Sequence, residues 1–339
     1  MEQTRESEEE AILDSDLPIC DAHHHLWNRP EQRYLLGEFL NDATSGHNVR
    51  SSVFVEWRSH YRETGPSEMR PVGETEFAAA VGESAANEPV EVCAAIVGYA
   101  DLSLGSAAAP ILEAHLEAGR GRFKGIRNVA TWDPDPHVLG GPPICDPGLY
   151  RQPRFREGFA LLEGYGLTFD AWLYQTQLAD LIDLAQAFPG QDIVLNHTGG
   201  VLGTGDYADR RAELFASWRD ALRGLARCPN VRIKLGGLGM RRSGFDFYGR
   251  ARECTSQAAA AAWRPWIEAC LAEFGAERCM FESNFPVDGA SCSYRVLWNA
   301  FKRLIGGASA AEKTQVLHDT AAQFYGLGRR RGGEQATIE

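Results

Sequence analysis

The sequence predicts an α/β chain that closes into a single (β/α)8 barrel, the TIM-barrel arrangement. Three observations carry that expectation. Eight short apolar runs, each suited to a buried parallel strand, are spread along the 339 residues. Segments of helical period separate them. Side chains capable of chemistry recur where each run ends, which in a barrel is the C-terminal face that carries the site-building loops. An open doubly wound sheet competes, but no GxGxxG follows the first run.

The runs are ICDAHH (19–24), SSVFVE (51–56), VEVCAAIVGY (90–99), KGIRNV (124–129), LTFDAWL (167–173), DIVLNH (192–197), VRIKLG (231–236) and CMFESN (279–284). Between them, Phe155, Phe159 and Leu162 share one helical stripe that stops at Gly166. Leu178, Leu181, Ile182, Ala185 and Phe188 form another before Pro189 and Gly190, and Leu214, Trp218 and Leu222 a third. The last helix opens at Ser309 with Glu312 three residues on, a capping-box pattern, and closes at Gly326. The connections 26–49, 131–152 and 236–256 are longer than a barrel needs, and each follows a strand. The stretch GLGMRRSGFDFYGR in the third mixes aromatic and basic groups and suits a pocket wall or lid. Residues 1–17 read as a flexible acidic lead-in, 18–327 as the barrel and 328–339 as a peripheral tail.

Apolar residues make up 44% and charged ones 24%, enough for a sizeable core. A formal net charge of −12 argues against nucleic acid and against an anionic membrane surface as partners, which leaves a small molecule. The eight cysteines are scattered with no CxxC pair, and the start MEQTRESEEE lacks the basic and apolar pattern of a secretory signal. The expectation is a cytoplasmic protein with reduced thiols.

The stretch DAHHHLW (21–27) places three imidazoles in a row. Strand alternation puts Asp21, His23 and His25 on one face and His24 on the other. Two imidazoles two residues apart on one face can bind one metal ion or one substrate oxygen. The other run ends offer Glu56 followed by Arg58 and His60, then Arg127, then Asp170 with Tyr174 and Gln175 beyond it. Asn196-His197, Lys234, and Glu282 with Asn284 complete the set. Each has a plain explanation: His197 as a core histidine bonded to a carbonyl, Arg127 or Lys234 in a structural ion pair. Together, at nearly every strand end, they point to a site.

DAHHHLW, GIRNVATWD, VLNHTGG, KLGGLGM and MFESNFPVD resemble the motifs of the amidohydrolase superfamily, in the branch of pyrone-dicarboxylate and sugar-acid lactonases. The resemblance runs from about residue 18 to 327 and implies the barrel fold. It places the family's HxH pair on His23 and His25 and its strand-six histidine on His197. The family's strand-eight aspartate, which takes a proton from water, falls on Asn284, which has no titratable carboxylate. Glu282, two residues earlier on the same face, could carry that carboxylate or serve as a structural partner of Arg127 or Lys234.

The resemblance implies a hydrolase opening a lactone of a small acidic or polyhydroxylated compound. His23, His25 and His197 would polarise the carbonyl, with Glu282 as base and Asn284 beside it. Arg127, Glu56, Arg58, Asp170, Tyr174 and Lys234 would hold the substrate. One divalent ion, zinc or manganese, on His23, His25 and His197 stands beside a metal-free alternative. An aromatic-acid decarboxylase or C–C bond hydrolase, or a catalytically silent binding relative, are the other readings.

Overall fold

The computed structural model describes residues 10–327 apart from positions 31, 140–142 and 252. Eight parallel strands pair in sequence order: β1 (Pro18–His24), β2 (Asn48–Val55), β3 (Glu91–Gly98), β4 (Phe123–Val129), β5 (Thr168–Trp172), β6 (Ile193–Leu195), β7 (Val231–Leu235) and β8 (Cys279–Phe281). All eight fall on the expected runs. The ring closes just past β8, where Asn284 N donates to His23 O (2.8 Å) and His25 N to Phe285 O (2.8 Å). This is the (β/α)8 barrel, with helices interleaved on the outside. The second and third stripes form helices at Leu178–Ala187 and Arg211–Ala226, the first is divided between Pro153–Phe159 and a short turn of helix at Leu161–Gly164, and Ser309 caps the last helix as the sequence predicts.

The barrel interior is apolar at its lower end, where Cys20, Ala22, Val53, Val55, Ala95, Val97, Val194 and Met280 meet Phe324 and Tyr325 from the C-terminal helical segment. Stacked inward side chains of this kind fill the ring, so no channel runs through it. A second, larger cluster fills the layer between strands and helices.

β1 does not alternate strictly. Asp21 pairs with Ser52 and His24 with Phe54, so three steps on β1 oppose two on β2, a bulge. Ala22 therefore packs inward while Asp21 turns to the helix layer, where it accepts from Tyr294 Oη (3.0 Å) and Ser283 N (2.8 Å). This corrects the expected face-sharing of Asp21 with His23. His24 stacks on Phe39 at 4.2 Å outside the ring, and burial lowers its pKa to about 3, so it is a neutral packing residue.

The lead-in is anchored from Glu10 onward rather than loose. Glu10 Oε1 accepts from Ser256 N (2.7 Å), Leu13 N donates to Asn299 Oδ1 (2.9 Å), and Lys302 Nζ donates to Leu13 O (2.8 Å). Residues 1–9 and the expected tail at 328–339 lie outside the described residues. All eight cysteines are free thiols, and among the described residues no helix is long and apolar enough to cross a membrane.

Candidate active site

Three histidine rings meet at the mouth. The His23 centroid lies 4.7 Å from His25 and 4.6 Å from His197. His25 Nδ1 donates to Val55 O (2.7 Å), which leaves its Nε2 as an acceptor. That Nε2 lies 3.2 Å from His23 Nε2, and Asn196 Nδ2 lies 3.1 Å from His23 Nδ1. The network assigns His23 as the Nε2–H tautomer, donating to His25 and accepting from Asn196.

His197 is held differently. Its backbone N–H (2.9 Å) and its Nδ1–H (2.7 Å) both donate to Glu282 Oε1. Its Nε2 is thus an acceptor, and among the described residues it has no partner. The backbone here is left-handed, with φ of 56° at His197 and 53° at Thr198, a conformation rare outside glycine that tends to persist at functional sites. The KLGGLG stretch makes room for it. A Cβ at Gly237 (φ 67°) would sit 2.5 Å from His197 Cβ, and one at Gly236 2.4 Å from Glu282 Cγ. Only glycine lets β7 run this close to both side chains.

Burial holds all three histidines well below the usual imidazole range, with Arg127 and Lys234 adding to the effect at His197. Burial pushes Glu282 up to about 8, against the pull of Lys234 and the His197 N–H. Glu282 is fully buried and lies under the cavity, not among its lining residues. The expected base thus has its Oε1 held by the His197 N–H and Nδ1–H instead of facing the cavity.

Asn284 is likewise off the cavity: its Nδ2 donates to Asp288 Oδ1 (2.8 Å), whose Oδ2 accepts from Gly239 N (3.0 Å). Asp170 and Lys234 are corrected too. Lys234 Nζ donates to Asp170 Oδ2 (2.7 Å), and Tyr325 Oη to Asp170 Oδ1 (2.9 Å), so this buried pair ties the barrel to its C-terminal plug instead of reaching the cavity. Tyr174 does not line the cavity either, and its Oη accepts from Arg242.

The cavity above the histidines has a volume of about 310 Å³. Its lining includes the expected Glu56, Arg58 and Arg127, with Trp57 and Trp172. Each of the three long connections contributes: Arg29 from the first, Thr131, Leu139 and Ile144 from the second, Arg242 from the third. Trp57 lies 4.7 Å from the His25 ring and Trp172 4.5 Å from the His197 ring, so the cavity floor adjoins the histidines. Arg127 Nε donates to Glu56 Oε1 (2.8 Å), while its Nη1 stands 3.5 Å from His23 Nε2. Arg29 and Arg242 were not singled out from sequence. The basic pair inside GLGMRRSGFDFYGR was the available signal for Arg242, and nothing marked Arg29.

The metal-capable group also differs from the expected trio. Ligand atoms of His23, His197 and Glu282 lie within 4.8 Å of one another, while His25 has its Nδ1 on Val55 O and its Nε2 3.2 Å from His23 Nε2. Two imidazoles and a carboxylate suit zinc or manganese. Glu282 Oε2, buried with no hydrogen-bond partner and 2.9 Å from His23 Nδ1, fits a ligand role.

The family model described as Amidohydrolase matches residues 20–327. The chain is 32% identical over 334 residues to the uncharacterized protein y4mH of Sinorhizobium fredii, covering 92% of this chain and 99% of that one. To an L-fucono-1,5-lactonase of Burkholderia multivorans it is 28% identical over 330 residues, covering 91% and 95%. A solved amidohydrolase from Burkholderia multivorans with bound HEPES superposes with a TM-score of 0.69 at 25% identity, covering 91% and 99%. A second crystal form with bound zinc gives 0.68 at 24% identity, with the same coverage. Barrel, motif order and full-length similarity agree: the chain is a hydrolase that belongs to the amidohydrolase family.

Proposed function

We propose that the protein opens a lactone, a small cyclic ester, by adding water to its carbonyl carbon. The observation that carries this reading is His197, a neutral imidazole whose Nδ1–H is fixed on Glu282, whose Nε2 has no partner among the described residues, and whose ring packs 4.5 Å from Trp172 of the cavity wall. A neutral imidazole oriented by a buried carboxyl group is suited to take a proton from water.

Arg127, buried at the cavity wall, would polarise the carbonyl oxygen in a poorly solvated site. In the ion-free site, water's oxygen bonds to the carbonyl carbon and its proton passes to His197 Nε2. The ring C–O bond then breaks, and the proton moves on to the departing oxygen, leaving an open-chain hydroxy acid. Glu282 supports the imidazolium that forms in between. A zinc or manganese ion on His23, His197 and Glu282 would supply Lewis-acid polarisation to the same carbonyl. The full-length similarity to an L-fucono-1,5-lactonase supports a small-molecule lactone as substrate.

The test is a panel of acidic and polyhydroxylated lactones followed by base consumption at constant pH in ¹⁸O-labelled water. The expected result is turnover well above the spontaneous rate, with the label in the new carboxylate. Release of carbon dioxide from aromatic acids, with no lactone opened, would overturn the reading.

A further inference from the structure

The turn that follows β2 supplies part of the cavity wall. Trp57 and Arg58 both line the cavity, and the Trp57 ring lies 4.7 Å from His25. Glu56 N still donates to Val97 O of β3 (2.8 Å), but just beyond it the backbone leaves extended geometry. Arg58 and His60 both stand in the left-handed region, with φ of 58° and 52°. Two residues other than glycine hold that conformation only where their surroundings enforce it.

One side chain does the enforcing. Glu74 stands in the first turn of the helix Val72–Ser84 and is 2% exposed. Its Oε1 accepts from Trp57 N (2.8 Å), Ser59 N (3.0 Å) and Ser59 Oγ (2.9 Å). An acidic residue at this place ordinarily serves the N-terminus of its own helix. Here the carboxyl group is turned to another segment. Gly73 permits the approach, since a Cβ there would sit 2.6 Å from His60 O and 2.6 Å from Arg62 N. Phe77, one turn on, stacks on the His60 ring at 3.6 Å.

The other carboxyl oxygen, Glu74 Oε2, is buried and has no hydrogen-bond partner among the described residues. Burial, with the charge of Glu56 nearby, raises Glu74 to about 8 against the pull of its donors. At neutral pH the group is therefore a neutral acid, with its proton on Oε2 because Oε1 is taken up by three donors. An amide can imitate that arrangement; an alkyl group cannot.

We propose that Glu74 is a positioning residue for the cavity: through Trp57 and Arg58 it sets the wall against which the substrate binds. Glu74 is not itself among the lining residues. Its effect falls on binding and not on the chemical step, because His197 is held by Glu282 from other strands. The inference goes beyond the lactone-opening reading and rests on it only for the turnover half of its test.

Three variants separate the possibilities. Glu74→Gln keeps an acceptor for the three donors, Glu74→Leu keeps the bulk without it, and Ser59→Ala removes one donor at little risk to folding. On a lactone that wild type opens, Glu74→Leu is expected to raise KM about 10- to 100-fold with kcat changed less than about threefold. Ser59→Ala should raise KM less, and Glu74→Gln should recover most of the wild-type affinity. The second measurement needs no turnover. Trp57 emission is isolated as the difference between each protein and the same protein carrying Trp57→Phe, and its quenching by iodide is recorded. Quenching is expected to rise in Glu74→Leu and Ser59→Ala and to match wild type in Glu74→Gln. A folded Glu74→Leu protein with wild-type KM and quenching would overturn the proposal, as would a fall in kcat at unchanged KM. Glu74→Gln as impaired as Glu74→Leu would overturn it too. Should Glu74→Leu not fold, unchanged KM and quenching in Ser59→Ala would do the same. If wild type opens no lactone, the hydrolytic reading falls alone, and the quenching series decides for or against Glu74.

Discussion

Asn284 shows what the sequence could and could not say about single residues. Read alone, its position suggests a lost carboxylate that an aspartate would restore. The structure gives the asparagine a partner, Asp288, four residues on, whose other oxygen is held by Gly239 N. Asn284→Asp therefore sets two buried carboxyl groups against each other. It is expected to cost about 1–3 kcal/mol of stability and to leave activity no higher, as thermal unfolding and rate measurements would show. Combining Asn284→Asp with Asp288→Asn should recover most of that loss, because amide and carboxylate then trade places. The amide introduced by the second change can donate to the carboxylate introduced by the first, while its oxygen accepts from Gly239 N. The histidines themselves were legible, because spacing and strand ends mark them. The partner that commits each nitrogen was not, because Val55 O, Asn196 and Glu282 reach them through space.

At the level of elements, each strand was legible from its apolar run, as were the helices of three stripes and the capped last one, but not Val72–Ser84, Ala109–Ala118, Ser256–Phe274 or Tyr294–Leu304. The bulge in β1 was not, since nothing in DAHHHLW signals the extra residue that turns Asp21 outward and leaves His23 inside. Nor was the close approach of β7 to the turn after β6. Gly237 is the clearest test of that approach. Gly237→Ala must hold a left-handed residue, at about 1 kcal/mol or more, and place a methyl group against His197. The expected result is a loss of turnover out of proportion to the fall in melting temperature. The C-terminal plug is testable separately. Tyr325→Phe removes the hydroxyl that donates to Asp170 and is expected to cost about 1–2 kcal/mol, read by denaturant unfolding.

For the whole molecule, buried ionisable groups outside the histidine site set how stability follows pH. His24, His47 and His115 are lowered to about 3, 4 and 4, chiefly by burial. Below about pH 6.5 the unfolded chain takes up protons that these folded histidines refuse, so stability rises with pH up to that point. Glu74 and Asp288 are raised to about 8, also chiefly by burial. Between about pH 4.5 and 8 the folded state holds protons that the unfolded chain has released, so these two groups lower stability as pH rises. Asp21, raised to about 6 by burial, acts with them below that pH. Three groups face three there and largely offset, while Glu74 and Asp288 act on their own between about pH 6.5 and 8. Melting temperatures should change little between about pH 5 and 6 and fall between about pH 6.5 and 8. The barrel itself was legible because it needs only periodicity and order, whereas the cavity's cationic lining is assembled from loops that no pattern aligns. The proposed chemistry depends on His197. His197→Asn suits the left-handed backbone and can keep the bond to Glu282 while deleting Nε2. Measured on a lactone that wild type opens, kcat is expected to fall by about 10²–10⁴ with binding retained, and undiminished kcat in a folded His197→Asn protein would contradict a proton-accepting role for this imidazole.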